Sequence, residues 1–76
     1  MNLKQLRNRA ELRILDVAYR LKVAESTVRN WETGRTLPTL NPIEMLTLCQ
    51  MYKVSLEELA TIASTSYEEH QKKGKK

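Results

Sequence analysis

The chain has 76 residues, of which 41% are hydrophobic, with two glycines, one cysteine and a formal net charge of +4. This length allows one domain whose core supplies only a few kcal/mol, so a dimer would add stability. No run approaches the roughly 18 apolar residues of a membrane span, and a single cysteine excludes an intrachain disulfide. We therefore expect one soluble, all-α domain in a reducing cytoplasm, with no membrane partner.

The basic charge is concentrated in the first half of the chain. Residues 1–37 carry eight Lys or Arg against four acidic residues, whereas residues 38–66 carry one Lys against three Glu. A phosphate-binding face needs such an asymmetry, although a small basic domain with a solvated surface would look similar. The charge therefore indicates a nucleic-acid partner only in combination with a motif.

The first predicted helix has a clear beginning and an unclear end. Asn2 can cap a helix that ends near residue 10 and turns two leucines inward. The apolar spacing then continues as far as Leu21 without a strong break signal. One uninterrupted helix over residues 2–21 is therefore an alternative to two separate helices.

Two short amphipathic helices, joined by a tight turn at residues 22–24, are predicted next. The apolar residues at helical spacing are Val17, Ala18 and Leu21 in the first of them and Val28 and Trp31 in the second. The two apolar faces must pack together, and the small Ala18 allows the helices to cross closely. This pattern is typical of a helix-turn-helix, whose second helix enters the major groove of DNA.

Two further helices complete the predicted bundle. Asn41 and Pro42 begin the fourth helix with a cap, a first-turn proline and a glutamate in the capping-box position. Its apolar residues form two faces, one of which could bury a contact between two copies of the chain. Ser55 caps a short fifth helix that closes the core. We expect a domain over residues 1–64 and a flexible basic C-terminal tail over residues 65–76.

A family resemblance is carried by five runs of residues: Leu3-Lys4-Gln5-Leu6-Arg7, Val17-Ala18, Ser26-Thr27-Val28, Trp31-Glu32-Thr33-Gly34-Arg35 and Val54-Ser55-Leu56-Glu57-Glu58-Leu59. Through them, residues 3–62 resemble the Xre/Cro-type helix-turn-helix family of phage and bacterial repressors. The resemblance implies a compact bundle of about five short helices of the lambda-repressor-like type. It also implies a buried, structural ion pair between Arg7 and Glu32.

The chain departs from that family's pattern at several positions, three of which lie in the helix-turn-helix. Ile14 stands where the family commonly has a glutamine that touches DNA, so Ile14 and Leu15 contact thymine methyls, form a protein contact or close against the first helix. Lys22 replaces the usual turn glycine, where a left-handed backbone costs roughly 1–2 kcal/mol. Ala24 replaces the usual Ser or Thr cap, which forfeits about 1 kcal/mol.

The polar side chains of the third helix are the candidate DNA-binding set. If Val28 and Trp31 face inward, the residues that face outward to base edges are Glu25, Ser26, Arg29 and Asn30. An ion pair between Arg29 and Glu25 is the competing role for both side chains. The residues expected to contact phosphate are Arg13, Thr27, Thr33, Arg35 and Thr36.

These residues predict sequence-specific binding of double-stranded DNA and a transcriptional regulator of the repressor type. The chain's one histidine and one cysteine lie in unsuitable contexts, so we expect no enzyme activity, cofactor or metal. A homodimer would bind two half-sites about 34 Å apart. Two alternatives use the same fold. One is a protein-protein interaction module that presents Ile14, Leu15 and the surplus apolar residues of the fourth helix, and the other is an antitoxin that binds both DNA and a protein partner.

Overall fold

The fold, seen in a computed structural model that describes residues 2–74, consists of five helices with no strand among those residues. The helices are α1 (Leu3–Arg9), α2 (Ile14–Leu21), α3 (Glu25–Thr33), α4 (Pro42–Tyr52) and α5 (Leu56–Gly74). This confirms the predicted all-α bundle of about five helices. Within the described part of the chain, no helix has the length and apolar character needed to cross a membrane.

The first two helices are separate, so the alternative of one uninterrupted helix over residues 2–21 is wrong. Glu11 has a left-handed backbone with φ of 60°, which turns the chain out of α1. The guanidinium of Arg7 donates a hydrogen bond to the carbonyl oxygen of Leu12 at 3.0 Å, which holds the connecting loop. The backbone N–H of Arg13 then donates to the carboxylate of Asp16 at 2.8 Å and starts α2.

Three helices begin with reciprocal caps formed by their own sequence. In each, a side-chain oxygen accepts from a backbone N–H three residues later, and that residue's side chain accepts from the cap's backbone N–H. The pairs are Asn2 with Gln5, Asn41 with Glu44 and Ser55 with Glu58. The predicted start of α4 is confirmed, including Pro42 at its first position.

All five helices contribute to one core. The buried apolar residues are Leu3 and Leu6 of α1, Val17, Ala18 and Leu21 of α2, Val28 and Trp31 of α3, Leu48, Cys49 and Tyr52 of α4, and Leu59 and Ala63 of α5. Helix α3 packs against α2 on one side and α5 on another. It is therefore held by several neighbours while part of its surface stays in solvent.

The last helix is longer than the sequence predicts. α5 has 19 residues and continues through Gly74, so the expectation of a short fifth helix is wrong. A tertiary contact accompanies this extension: Gly34, at the end of α3, lets the backbone of Ser66 approach so closely that a Cβ at Gly34 would lie 2.2 Å from the Ser66 carbonyl oxygen. The flexibility of the predicted tail stays a prediction, and Lys75 and Lys76 lie outside the described residues.

Candidate nucleic-acid interface

The turn between α2 and α3 fixes the angle at which α3 leaves the bundle. Lys22 adopts the left-handed conformation with φ of 58° that a glycine would adopt more easily. The backbone N–H of Val23 donates to the carbonyl oxygen of Ala18 at 3.0 Å and closes the turn. Ala18 is buried on α2, as is Val28 on α3, and the two helices are in direct contact.

One face of α3 is hidden and the opposite face is polar. Val28 is fully buried and Trp31 is nearly so, which makes the indole a core residue rather than a platform for bases. Glu25, Ser26 and Arg29 are exposed, whereas Asn30 is half-buried. The exposed face therefore carries carboxylate, hydroxyl and guanidinium groups, with an amide at its edge.

A buried ion pair holds α3 to the first helix. Two nitrogens of the Arg7 guanidinium donate to the two carboxylate oxygens of Glu32 at 2.5 and 3.2 Å, and the side chains are only 9% and 7% exposed. The hydrogen bond to Glu32 raises the pKa of Arg7, although burial opposes the shift. Because Arg7 also binds the Leu12 carbonyl, this one side chain joins α1, the following loop and α3.

The ion pair between Arg29 and Glu25 is present but weak. Arg29 Nη2 lies 3.5 Å from Glu25 Oε1, and the side chains remain 59% and 45% exposed. Exposed pairs of this spacing contribute about 0.3–0.5 kcal/mol, whereas a bidentate contact to a base discriminates by about 1–3 kcal/mol. The free energy gained from a base contact therefore exceeds the free energy lost when either side chain leaves the ion pair.

Four of the predicted DNA-binding residues line one open groove beside the end of α3. Thr27, Asn30, Arg35 and Thr36 lie around a space of about 550 Å³. The loop is tied to α3 because the backbone N–H groups of Arg35 and Thr36 donate to the Asn30 carbonyl oxygen at 2.9 and 3.4 Å. One cation, two hydroxyls and one amide therefore converge on a surface large enough to receive a phosphate.

Arg13 and Thr33 lie apart from that groove. The guanidinium of Arg13 pairs with Asp16 at 3.2 and 3.3 Å, and this hydrogen bond, with that from the Arg13 backbone, lowers the pKa of Asp16. The hydroxyl of Thr33 donates to the Asn30 carbonyl oxygen at 3.2 Å. Thr33 also lines a smaller polar pocket that contains Glu69 and His70.

Comparison with known proteins adds one finding to this geometry. A family model described as a helix-turn-helix domain matches residues 1–62. The chain belongs to this helix-turn-helix domain family. Membership indicates DNA binding and a role in transcription regulation. No curated protein and no solved structure matches the chain.

The apolar start of α2 in this helix-turn-helix domain is divided between core and solvent. Ile14 is half-buried and packs against the core, as expected if it closes against neighbouring helices. Leu15 beside it is about half exposed. Leu15 is therefore the more accessible of the two for contact with a thymine methyl or with another protein.

A second surface of the helix-turn-helix domain is apolar. A groove of about 700 Å³ lies between α4 and the start of α5, and its lining includes Leu40, Met45, Leu46 and Leu56 but no residue of α2 or α3. Ile43, on α4, is 76% exposed. A partner seated in this groove would leave the polar face of α3 uncovered.

The groove beside α3 is also lined by residues that the sequence did not assign to DNA contact, namely Trp31, Leu37, Thr39 and Tyr67. Tyr67 of α5 lines it together with Thr27 and Arg35, although the sequence places Tyr67 in a tail without structure. No local pattern could have located it, because its position depends on the contact between Ser66 and Gly34. Within residues 2–74, no group of three or more His, Cys, Asp or Glu side chains is placed to bind a metal ion.

Proposed function

We propose that this protein is a sequence-specific regulator of the Xre/Cro repressor type that binds double-stranded DNA with α3 in the major groove. The observation that supports it best is the division of α3 into two faces. Val28, Trp31 and the ion pair of Glu32 fix the helix from behind, and the opposite face offers side chains that match base edges.

The base contacts follow from side-chain chemistry. Arg29 can bond bidentately to guanine O6 and N7, and Asn30 can bond to adenine N6 and N7. Glu25 can accept from cytosine N4, and Ser26 is short enough to donate or accept. We assign sequence discrimination to these four residues and expect Arg29 to contribute most, because its side chain is charged, long and exposed.

The phosphate contacts come from the groove beside α3. Arg35 supplies the charge, while Thr27 and Thr36 supply hydroxyl donors. Arg13 can contact a second phosphate if the guanidinium turns away from Asp16, because the pair is exposed. Thr33 remains a candidate phosphate contact, although its hydroxyl donates within α3 and would have to turn toward the phosphate, away from the pocket that it shares with Glu69.

Repression requires fewer protein contacts than activation does. A domain of this size that occupies an operator excludes other proteins from the same groove, whereas activation needs a further contact to the transcription apparatus. For a repressor of the phage and bacterial type, the compartment in which it meets DNA is the cytoplasm.

Selection from a random duplex pool at a stated salt concentration tests the DNA-binding proposal. We expect one enriched motif, and log K should fall with log salt at a slope of about −4.5 if each domain neutralises about five phosphates. No enrichment, or an affinity that does not respond to salt, would contradict the proposal.

Two arginine variants then separate base contacts from phosphate contacts. Arg29→Ala should relax the preference at one position of the selected motif, which a repeated selection would show. Arg35→Ala should weaken binding to all duplexes alike and flatten the salt slope by about one unit. An equal loss of base preference in both variants would show that a different face of α3 meets the bases.

The apolar groove between α4 and α5 favours a second activity, protein-protein interaction. We propose a second copy of this chain as the occupant, because docking there leaves both α3 helices free for half-sites about 34 Å apart. Analytical ultracentrifugation should show a dimer that Leu46→Lys, at a 57% exposed position in the groove, dissociates and that Tyr19→Lys, at an 84% exposed site on α2, leaves intact. A monomer, with a single stoichiometric foreign protein bound instead, would favour the antitoxin alternative.

A further inference from the structure

The second half of α5 lies against the end of the DNA-facing helix. Gly34 ends α3 with φ of 83°, and a Cβ there would lie 2.2 Å from the carbonyl oxygen of Ser66 and 3.1 Å from Cβ of His70. Since a real side chain could not occupy that space, this glycine permits the close approach of the two helices. The contact fixes the position of the next residue of α5, Tyr67.

Tyr67 faces the groove that contains the predicted phosphate-binding residues. Its side chain is half-buried and lines the groove with Thr27, Arg35 and Thr36. No side-chain hydrogen bond among the described residues uses its hydroxyl, and no buried polar side-chain atom there lacks a partner. The ring is therefore held by packing while the hydroxyl remains open to solvent or a ligand.

A phenol at this position has the chemistry to bind a phosphodiester. Tyrosine hydroxyls are among the side-chain groups that donate hydrogen bonds to DNA phosphate oxygens. A hydrogen bond to a charged acceptor is stronger than one to a neutral group. Arg35 in the same groove supplies the positive charge that would bring the phosphate within reach.

We propose that Tyr67 is a DNA-backbone contact and that α5 extends the interface of the helix-turn-helix. In this arrangement the phenolic hydroxyl donates to a phosphate that Arg35 and Thr36 also contact, at the edge of the site bound by α3. The proposal rests on the proposed DNA-binding function and deepens it, because it assigns part of the interface to residues beyond 64. Since a phosphate carries no base identity, the contact adds affinity and orientation without sequence preference.

The test removes only the hydroxyl. Tyr67→Phe keeps the ring packed beside Arg35, so its thermal midpoint should equal that of the unmodified protein. Its affinity for the selected duplex should fall about tenfold, and the loss should be the same for duplexes with altered bases. The salt slope should not change, because a neutral phenol releases no counterion, in contrast to the flatter slope expected for Arg35→Ala.

Tyr19→Phe is the matched control. Tyr19 lies on α2, is 84% exposed and is not part of the groove, so loss of its hydroxyl should leave DNA affinity unchanged. Equal affinity of Tyr67→Phe and the unmodified protein would overturn the proposal while leaving the DNA-binding function intact. A change in base preference, or equal weakening by both tyrosine variants, would also overturn it. Failure of the unmodified protein to bind any duplex would instead overturn the proposed function.

Discussion

Helices α3 and α4 differ in what stabilises them. α4 begins with a cap encoded in its own sequence, in which Asn41 accepts from the Glu44 backbone N–H at 2.8 Å, followed by Pro42. α3 begins at Glu25 after the N-cap residue Ala24, which makes no side-chain hydrogen bond, and its support comes from buried neighbours on α1, α2 and α5. Both helices are held by tertiary contacts, but only α4 also begins with a side-chain cap of its own, so α3 depends on its tertiary contacts more than α4 does.

This difference has a consequence for function. A capping side chain at Ala24 would occupy a backbone N–H in the first turn of α3, where an anion such as phosphate is favoured. Because the contacts that stabilise α3 lie on its buried face, its exposed side chains and its first-turn N–H groups remain free to bind a ligand. Disrupting the hidden contacts should therefore cost far more stability than changing either cap.

The largest expected effect is at the ion pair behind α3. Arg7→Ala leaves the carboxylate of Glu32 buried without its partner, and removing one member of a buried pair typically costs about 3–5 kcal/mol. Urea unfolding followed by circular dichroism measures the loss. Asp16→Asn, which breaks the exposed pair with Arg13, is the control and should change stability little. Equal losses in both variants would show that α3 does not depend on the buried contact.

An intermediate effect is expected from exchanging the cap chemistry of the two helices. Asn41→Ala should destabilise the protein by about 1 kcal/mol, whereas Ala24→Ser should stabilise it by about 0.5–1 kcal/mol. Thermal unfolding of both variants measures the two changes. If Ala24→Ser does not raise the stability, the N–H groups in the first turn of α3 already have partners. That result would contradict the stated difference in capping between α3 and α4.

The smallest effect concerns the residues that end α2 and α4. Lys22 and Lys53 both have φ of 58°, a conformation that costs a non-glycine residue roughly 1–2 kcal/mol. Lys22→Gly and Lys53→Gly should each stabilise the protein by about 0.5 kcal/mol, because the higher entropy of an unfolded glycine offsets part of the gain. A loss of stability in Lys22→Gly alone would show that the lysine side chain itself supports the turn.

The sequence predicts the bundle well where the signals are local. The bounds of α2 and α3 follow from apolar spacing around the turn at Lys22, and the start of α4 follows from Asn41 and Pro42. The break after α1 is weakly encoded, because its left-handed residue is Glu11 rather than a glycine. The sequence therefore leaves one helix or two as alternatives; the structure has two, and the contact between Arg7 and Leu12 holds the loop between them.

The length of α5 could not be predicted from local sequence patterns. The segment after residue 64 has almost no apolar spacing, so the sequence predicts a tail there. Its helical structure comes with a contact between two backbones, Ser66 and Gly34, that are 32 positions apart in the chain. Tyr67 could not be assigned to the groove for the same reason, whereas Arg35 and Thr36 follow from their place directly after α3.

The most direct test of the account is a map of backbone amide shifts by nuclear magnetic resonance during titration with the selected duplex. If the polar face of α3 meets DNA, the largest changes should fall on residues 25–36 and on Tyr67. Ile43, in the apolar region of α4, should change little. Changes confined to α4 and the start of α5, with residues 25–36 unaffected, would contradict the central claim that α3 is the DNA-binding helix.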